Sequence, residues 1–231
     1  MKIVANGNNL FHLPIYYPLY LPYNKSKKPF LLLVHLGINL FLLPITENHK
    51  EIFLASAEFM STFPPMKIME IGLFGGFLLH ILFGVIVQLQ NWKSRGTKSY
   101  AVASKTDATL ASKTMIYSGL LVFLFLAMHM YQFYFVKLGL NTGPMIAGTH
   151  HPDFYTMAIS LFTNDAIFST IYILSFVVLY LHLSHAFQSA FQTLGWNHPK
   201  YTPFVKALGQ IYSIIVPLGF IIIPIYYMIW G

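Results

Sequence analysis

Five apolar segments make up about half of this chain, at residues 30–45, 68–92, 115–136, 166–190 and 207–230. An α-helix needs about 20 apolar residues to cross the roughly 30 Å hydrocarbon core of a bilayer, and the last four segments reach that length. The first segment is shorter, because Pro29 and Pro44 bracket it and further prolines upstream prevent a simple extension. The pattern predicts an all-α integral membrane protein built as a bundle of five transmembrane helices.

The composition agrees with a membrane environment. Hydrophobic residues make up 56% of the chain and charged residues 9%, and the mean hydropathy is +0.59. Water-soluble domains carry a much larger charged fraction. The formal net charge is +7, but Lys and Arg fall in short polar stretches between apolar segments, as in polytopic proteins, so we predict no nucleic-acid partner. The chain has no cysteine, which excludes disulfides and cysteine-held iron–sulfur clusters within it.

The chain divides into a polar, irregular N-terminal segment at residues 1–29 and a single membrane domain at residues 30–231. The N-terminal segment lacks the apolar core and small-residue cleavage site of a secretory signal peptide. Of the 14 Lys and Arg residues, eleven lie on the predicted side of the N-terminus and three on the opposite side. Because positively charged loops stay in the cytoplasm, we predict a cytoplasmic N-terminus and a multi-pass location in the cell inner (cytoplasmic) membrane rather than the mitochondrial inner membrane.

Four histidines lie in four different apolar segments: His35, His80, His129 and His182. An imidazole inside hydrocarbon is costly unless it has a partner. Haem iron is a partner that takes two imidazoles at once, one from each of two facing helices. The four histidines therefore predict two b-type haems. A proton channel or transporter with a histidine relay is the alternative from a different functional class.

Depth along the helices separates the histidines into pairs. His129 lies about 12 Å from the outer end of its segment, and His182 lies about 26 Å from the outer start of its own. His80 is near the middle of a helix that descends in the same direction as that of His182. These depths predict an inner pair of His80 with His182. His35 then remains as the partner of His129 in the outer pair. Depth alone does not establish this second assignment.

Two local features add to the histidine pattern. Gly76 and Gly84 lie four residues before and after His80, on the same helix face, and leave a smooth strip on which a porphyrin could lie. Close packing of helices is the other interpretation of such glycines. His185 follows His182 by three residues on a similar face, so it is either an alternative ligand or a contact to the ligand, a propionate or a quinone.

Glu70 lies inside the apolar start of the second segment, where a carboxylate is costly. It is also near the predicted outer mouth, so we predict a quinone or proton site there. Glu58 and His49 share that mouth and are interpreted as ordinary solvated residues. Three further histidines are interpreted as surface residues: His12, His150 and His151.

Several stretches of the chain resemble one family of membrane cytochromes. They are residues 34–40, 69–84 and 127–130, together with LHLSHAFQSAFQTLG at 181–195 and NHPKY at 197–201. The last two stretches are the most specific. Over residues 30–231 the chain resembles the cytochrome b membrane subunit of succinate dehydrogenase and fumarate reductase, of the single-chain dihaem b558 type.

The resemblance implies that His80 and His182 bind the haem nearer the catalytic subunits, and that His35 and His129 bind the outer haem. It implies two partner subunits, a flavoprotein with the dicarboxylate site and an iron–sulfur protein. Electrons would pass through two haems b to a quinone, expected to be menaquinone. This chain would carry no catalytic residue for dicarboxylate chemistry. A dihaem cytochrome b anchor of another oxidoreductase, such as a formate dehydrogenase or hydrogenase, is a related alternative.

Overall fold

The computed structural model describes residues 28–95, 110–193 and 201–231, and these ranges are mostly helical, with no strand among them. The helices are α1 (Lys28–Asn39), α2 (His49–Thr62), α3 (Pro64–Arg95), α4 (Leu110–His129), α5 (Phe135–Lys137), α6 (Phe154–Asn164), α7 (Ala166–Thr193) and α8 (Thr202–Trp230). The predicted N-terminal segment, except its last residues, and parts of the predicted inner loops lie outside these ranges.

Four helical stretches are long and apolar enough to cross a membrane: Pro64–Lys93, Thr114–Lys137, Ala166–Ala186 and Thr202–Trp230. They coincide with the last four predicted segments, so those four predictions are confirmed at the level of helix length and hydropathy. The first segment is a shorter apolar helix, α1, which continues as a 3₁₀ turn at Leu40–Leu42 and then becomes extended at Leu43. The fifth span is therefore not established.

Helix α8 forms the centre of the described bundle. Six of its buried residues follow alternating steps of four and three, which gives one continuous stripe along the helix: Gly209, Ser213, Val216, Phe220, Ile223 and Tyr227. Two prolines inside the helix, Pro217 and Pro224, are also buried. In a membrane helix, neighbouring helices can tolerate such prolines.

The short helix α1 packs closely on α8. A Cβ added at Gly219 would lie 2.9 Å from both Cδ atoms of Leu36, so the absence of a side chain on α8 allows this approach. At the end of α1, the Tyr227 hydroxyl donates a hydrogen bond to the backbone carbonyl of Leu42. These contacts fix the height and rotation of α1, and with them the position of His35.

Two shorter helices, α2 and α6, lie at the end of the bundle where α1 finishes. The side chain of Asp153 caps α6 by accepting a hydrogen bond of 2.9 Å from the Thr156 backbone N–H, as a helix N-cap does. Phe53 of α2 is buried and its ring lies 5.9 Å from that of Tyr155 on α6. The two helices cover one end of the bundle with an ordered layer.

Helix α4 changes its winding immediately after His129. Residues Met130–Tyr134 form a π-helical turn, and α5 then continues to Lys137. A π turn inserts an extra residue into the helical register, so the side chains beyond it point in directions that a regular α-helix would not give. Such turns are frequent at functional sites.

Candidate functional site

The first histidine pair joins α3 to α7. The ring centres of His80 and His182 are 6.2 Å apart, and their planes are inclined by 84°. A Cβ added at Gly119 of α4 would lie 3.4 Å from Cε1 of His182, so the glycine leaves room for the imidazole against α4. Residues from three helices thus meet at this site.

The second pair joins α1 to α4. The ring centres of His35 and His129 are 6.0 Å apart, with an interplanar angle of 77°. Aromatic side chains surround the pair: the ring of Phe220 lies 5.7 Å from His35, and that of Phe133 lies 5.2 Å from His129. The structure therefore brings together both predicted pairs, the one predicted from depth and the one formed by the two remaining histidines.

The spacing within each pair suits two ligands on opposite sides of one metal ion. An imidazole nitrogen binds a first-row metal such as zinc at about 2 Å. The centre of a five-membered ring lies roughly 1 Å further on, given ring bonds of about 1.3 to 1.4 Å. Two ligands in line therefore have ring centres about 6 Å apart. Both observed separations match that value, and a haem iron can take two protein ligands, one on each side of the porphyrin.

The two pairs lie at different levels of the bundle. His182 is next to Ser118 on α4, and His129 is next to Tyr172 on α7. The positions on each helix are ten or eleven residues apart, which corresponds to about 15 Å along the helix axis. The two histidine pairs are thus separate and lie one above the other along the helix axes.

A hydroxyl group lies next to one ring nitrogen of His182. Nδ1 of His182 is 3.2 Å from Oγ of Ser118. The same hydroxyl donates its only proton to the backbone carbonyl of Met115, at 3.0 Å. When the hydroxyl donates to that carbonyl, Nδ1 donates to the serine oxygen, and Nε2 keeps its electron pair. A metal-binding histidine usually has its second nitrogen oriented in this way.

His129 has an equivalent arrangement with a different partner. Its Nδ1 is 3.2 Å from the hydroxyl oxygen of Tyr172, and that hydroxyl donates to Oε1 of Gln132 at 2.7 Å. When the tyrosine hydroxyl donates to the amide oxygen, Nδ1 of His129 donates to the tyrosine oxygen. This again leaves Nε2 free to bind a metal.

His35 is held less specifically than its partner. The side-chain nitrogen of Asn39 lies 3.3 Å from Nδ1 and 3.5 Å from Nε2 of His35, and also donates to the His35 backbone carbonyl at 2.8 Å. Because the amide is similarly close to both ring nitrogens, these contacts assign no tautomer. His35 is also exposed along the edge of the bundle.

The glycines of α3 near His80 differ in their surroundings. Gly72, Gly76 and Gly84 are separated from His80 by multiples of four residues. A Cβ added at Gly72 or Gly84 would touch no heavy atom within 4 Å, whereas Gly76 is buried. The open positions leave space for a flat group beside His80, and Gly76 is consistent with close helix contact.

Glu70 lies in a polar cluster at the end of the bundle nearer His129. Lys137 donates to Oε2 of Glu70 at 2.8 Å, and the Tyr134 hydroxyl donates to Oε1. The side chains of Lys137 and Glu70 are 25% and 24% exposed. The carboxylate is therefore stabilised by an ion pair and a hydrogen bond, and it still reaches the surface.

The other predicted residues have less specific surroundings. His185 is half-buried on α7, one helical turn beyond the histidine that lies beside His80. Glu58, His150 and His151 are exposed, as predicted. His49 differs, because its Nδ1 lies 3.2 Å from the backbone carbonyl of Phe41 and its ring packs 5.7 Å from that of Tyr155.

Several polar residues of the histidine and Glu70 surroundings are not predicted from the sequence: Asn39, Ser118, Gln132, Tyr134, Lys137 and Tyr172. A hydroxyl or amide inside an apolar segment is a signal that was present in the sequence, since buried polar groups need partners. Their histidine and carboxylate partners are up to 67 residues away, as for Glu70 and Lys137.

Comparisons with protein-family models, curated proteins and solved structures found no match to this chain.

Proposed function

We propose that this chain is the membrane-anchor cytochrome b subunit of a succinate:quinone oxidoreductase. It would accept electrons from an iron–sulfur subunit and pass them to a quinone, or carry them in the reverse direction for fumarate reduction. The observation that carries the proposal is the pair of two-histidine sites, each with ring centres about 6 Å apart. Two stacked sites of this kind suit a path for electrons across a membrane.

The residues of the chain have distinct tasks in this proposal. His80 and His182 would hold the inner haem b, and His35 and His129 the outer one. Two haems b, when bound, would supply one-electron carriers at two depths of the bilayer. With both imidazoles of a pair bound, a haem iron would have no site left for O₂, so the two pairs favour electron transfer over oxygen chemistry. Ser118 and Tyr172 keep the second nitrogen of His182 and His129 occupied.

The identity of the partners rests on the resemblance over residues 181–201, together with the positive residues of the predicted inner side. The proposed partners are a flavoprotein subunit and an iron–sulfur subunit on the cytoplasmic side of the cell inner membrane. The proposed acceptor is a quinone of the menaquinone class. The four apolar helices support a membrane location.

We further propose that Glu70 exchanges protons with the quinone at the outer end. Reduction of a quinone to a quinol consumes two protons, so its site needs a group that can release or relay them. Glu70 is partly exposed and lies on the same side of the bundle as His129. Tyr134 and Lys137 hold the carboxylate in position, and 24% of the Glu70 side chain stays exposed.

Replacing Glu70 with Gln keeps the size of the side chain and removes the group that can take up and release a proton. We expect quinone reduction to slow by about 10²- to 10⁴-fold, which is the usual contribution of a positioned acid or base. Haem content, and succinate oxidation with an artificial acceptor that bypasses the quinone, should stay unchanged. Glu58→Gln is the matched control, because Glu58 is an exposed carboxylate outside this cluster. A normal quinone rate in Glu70→Gln would remove Glu70 from the mechanism.

The partner assignment is tested with the complex isolated from its native membrane. We expect the chain to co-purify with a flavoprotein and an iron–sulfur protein, and succinate to produce the α-band of reduced haem b. Reduction by formate or hydrogen, with a molybdenum or nickel subunit in the preparation, would support the related oxidoreductase instead. Absence of the haem band, with proton flux into vesicles that contain the purified chain, would support the histidine relay.

A further inference from the structure

Tyr172 occupies an unusually constrained position beside His129. Its side chain is 2% exposed, and the rings of Phe125 and Phe162 lie 5.1 and 5.2 Å from its own, at nearly right angles. A phenol held this tightly has few other rotamers available. Its hydroxyl therefore stays between Nδ1 of His129 and the side chain of Gln132.

The direction of the Tyr172 hydroxyl depends on Gln132, which lies in the π-helical turn. The Tyr172 hydroxyl donates a hydrogen bond of 2.7 Å to Oε1 of Gln132. The phenolic oxygen can then accept a hydrogen bond from His129. Without that acceptor the hydroxyl could donate to Nδ1 of His129 instead. The opposite tautomer would then have its proton on Nε2, where it blocks metal binding.

The inner site uses a different acceptor. In this arrangement, Oγ of Ser118 accepts a hydrogen bond from Nδ1 of His182 and donates one to the carbonyl of Met115. The two sites thus have separate hydrogen-bond acceptors on separate residues. Each acceptor can be changed without touching the other site.

We propose that Tyr172 and Gln132 are positioning residues that hold His129 in its metal-binding tautomer and lower the reduction potential of the outer haem. This inference rests on the proposed function. An acceptor at Nδ1 makes Nε2 a stronger base. A more basic ligand stabilises the ferric state relative to the ferrous state, and hydrogen bonding around the iron is one of the means by which a protein sets its potential.

Tyr172→Phe tests this proposal, because it removes the acceptor and leaves the ring in place. In the purified complex we expect the equilibrium between oxidised and reduced outer haem to shift toward reduction by up to about tenfold, equivalent to 59 mV for one electron. The low-field ferric EPR signal of that haem should also move, since it depends on the angle between the two imidazole planes. The inner haem should keep its potential.

Three further variants distinguish a direct effect from an indirect one. Ser118→Ala should raise the potential of the inner haem alone, which is the mirror image of Tyr172→Phe. Tyr117→Phe should change the potential of neither haem, because Tyr117, which precedes Ser118 on α4, is 65% exposed. Gln132→Leu should shift the outer haem in the same direction as Tyr172→Phe, and it leaves the packing of the phenol intact.

The outcomes separate this inference from the proposed function. If the unaltered complex holds two haems and neither Tyr172→Phe nor Gln132→Leu changes the outer potential, the inference is overturned and the proposed function stands. If Tyr172→Phe fails to retain the outer haem, Gln132→Leu decides: a raised potential supports the inference, and an unchanged one overturns it. If the unaltered complex holds no haem, the proposed function itself fails.

Discussion

Replacing His182 with Ala should reduce the haem content from two per chain to one. Alanine offers no ligand, so the iron of the inner site would keep a single imidazole from His80, and haem would be lost from that site. The outer site lies about 15 Å away along the helices and shares no described hydrogen bond with His182, so it should stay filled. The measurement is the haem-to-protein ratio of the purified complex, together with its reduced-minus-oxidised spectrum.

His185→Ala is the matched control for this experiment. It removes an imidazole from the same helix, one turn away and also half-buried. We expect it to retain two haems per chain, because His182 is the α7 residue whose ring lies 6.2 Å from that of His80. Loss of one haem in His185→Ala, with two retained in His182→Ala, would reverse the ligand assignment on α7.

The second large effect is expected at the outer pair. His129→Ala and His35→Ala should each leave one haem per chain, and it should be the same haem in both variants, identified by its spectrum and potential. A chain with both replacements should lose no more than either one alone, because the two histidines serve one site. Residues that act as a unit are non-additive in this manner.

His35→Ala tests the less firmly held histidine of the outer pair. Its ring is exposed at the edge of the bundle, and Asn39 is close to both of its nitrogens. Two full haems per chain in His35→Ala would show that another residue is the partner of His129. A control for general damage to α1 is Asn39→Ala, which removes the amide contacts and leaves the imidazole.

Much of the bundle follows from the sequence because bilayer thickness converts directly into helix length. The segments at 68–92, 115–136, 166–190 and 207–230 correspond to long apolar helices in the structure. The same conversion of residue number into depth predicts that His80 lies near His182. Helix α1 is short for the reason visible in the sequence, since Pro29 and Pro44 limit the segment.

Other features depend on contacts between distant residues, and the sequence gives weak signals for them. No local pattern predicts the π-helical turn at Met130–Tyr134, although it determines where Gln132 and Tyr134 point. Lys137 reads in the sequence as a loop charge, whereas in the structure it pairs with Glu70, 67 residues earlier. The sequence pattern predicts no helix in the connections between the spans. The helices α2 and α6 lie there and are stabilised by contacts such as that of Phe53 with Tyr155.

The most direct test of the central claim is the number of haems bound to this chain in the complex purified from its membrane. The two histidine pairs predict two b-type haems per chain, with low-spin spectra typical of iron that has two imidazole ligands. One haem per chain would mean that only one pair is a ligand set. A preparation with the intact chain and no b-type haem would contradict the account.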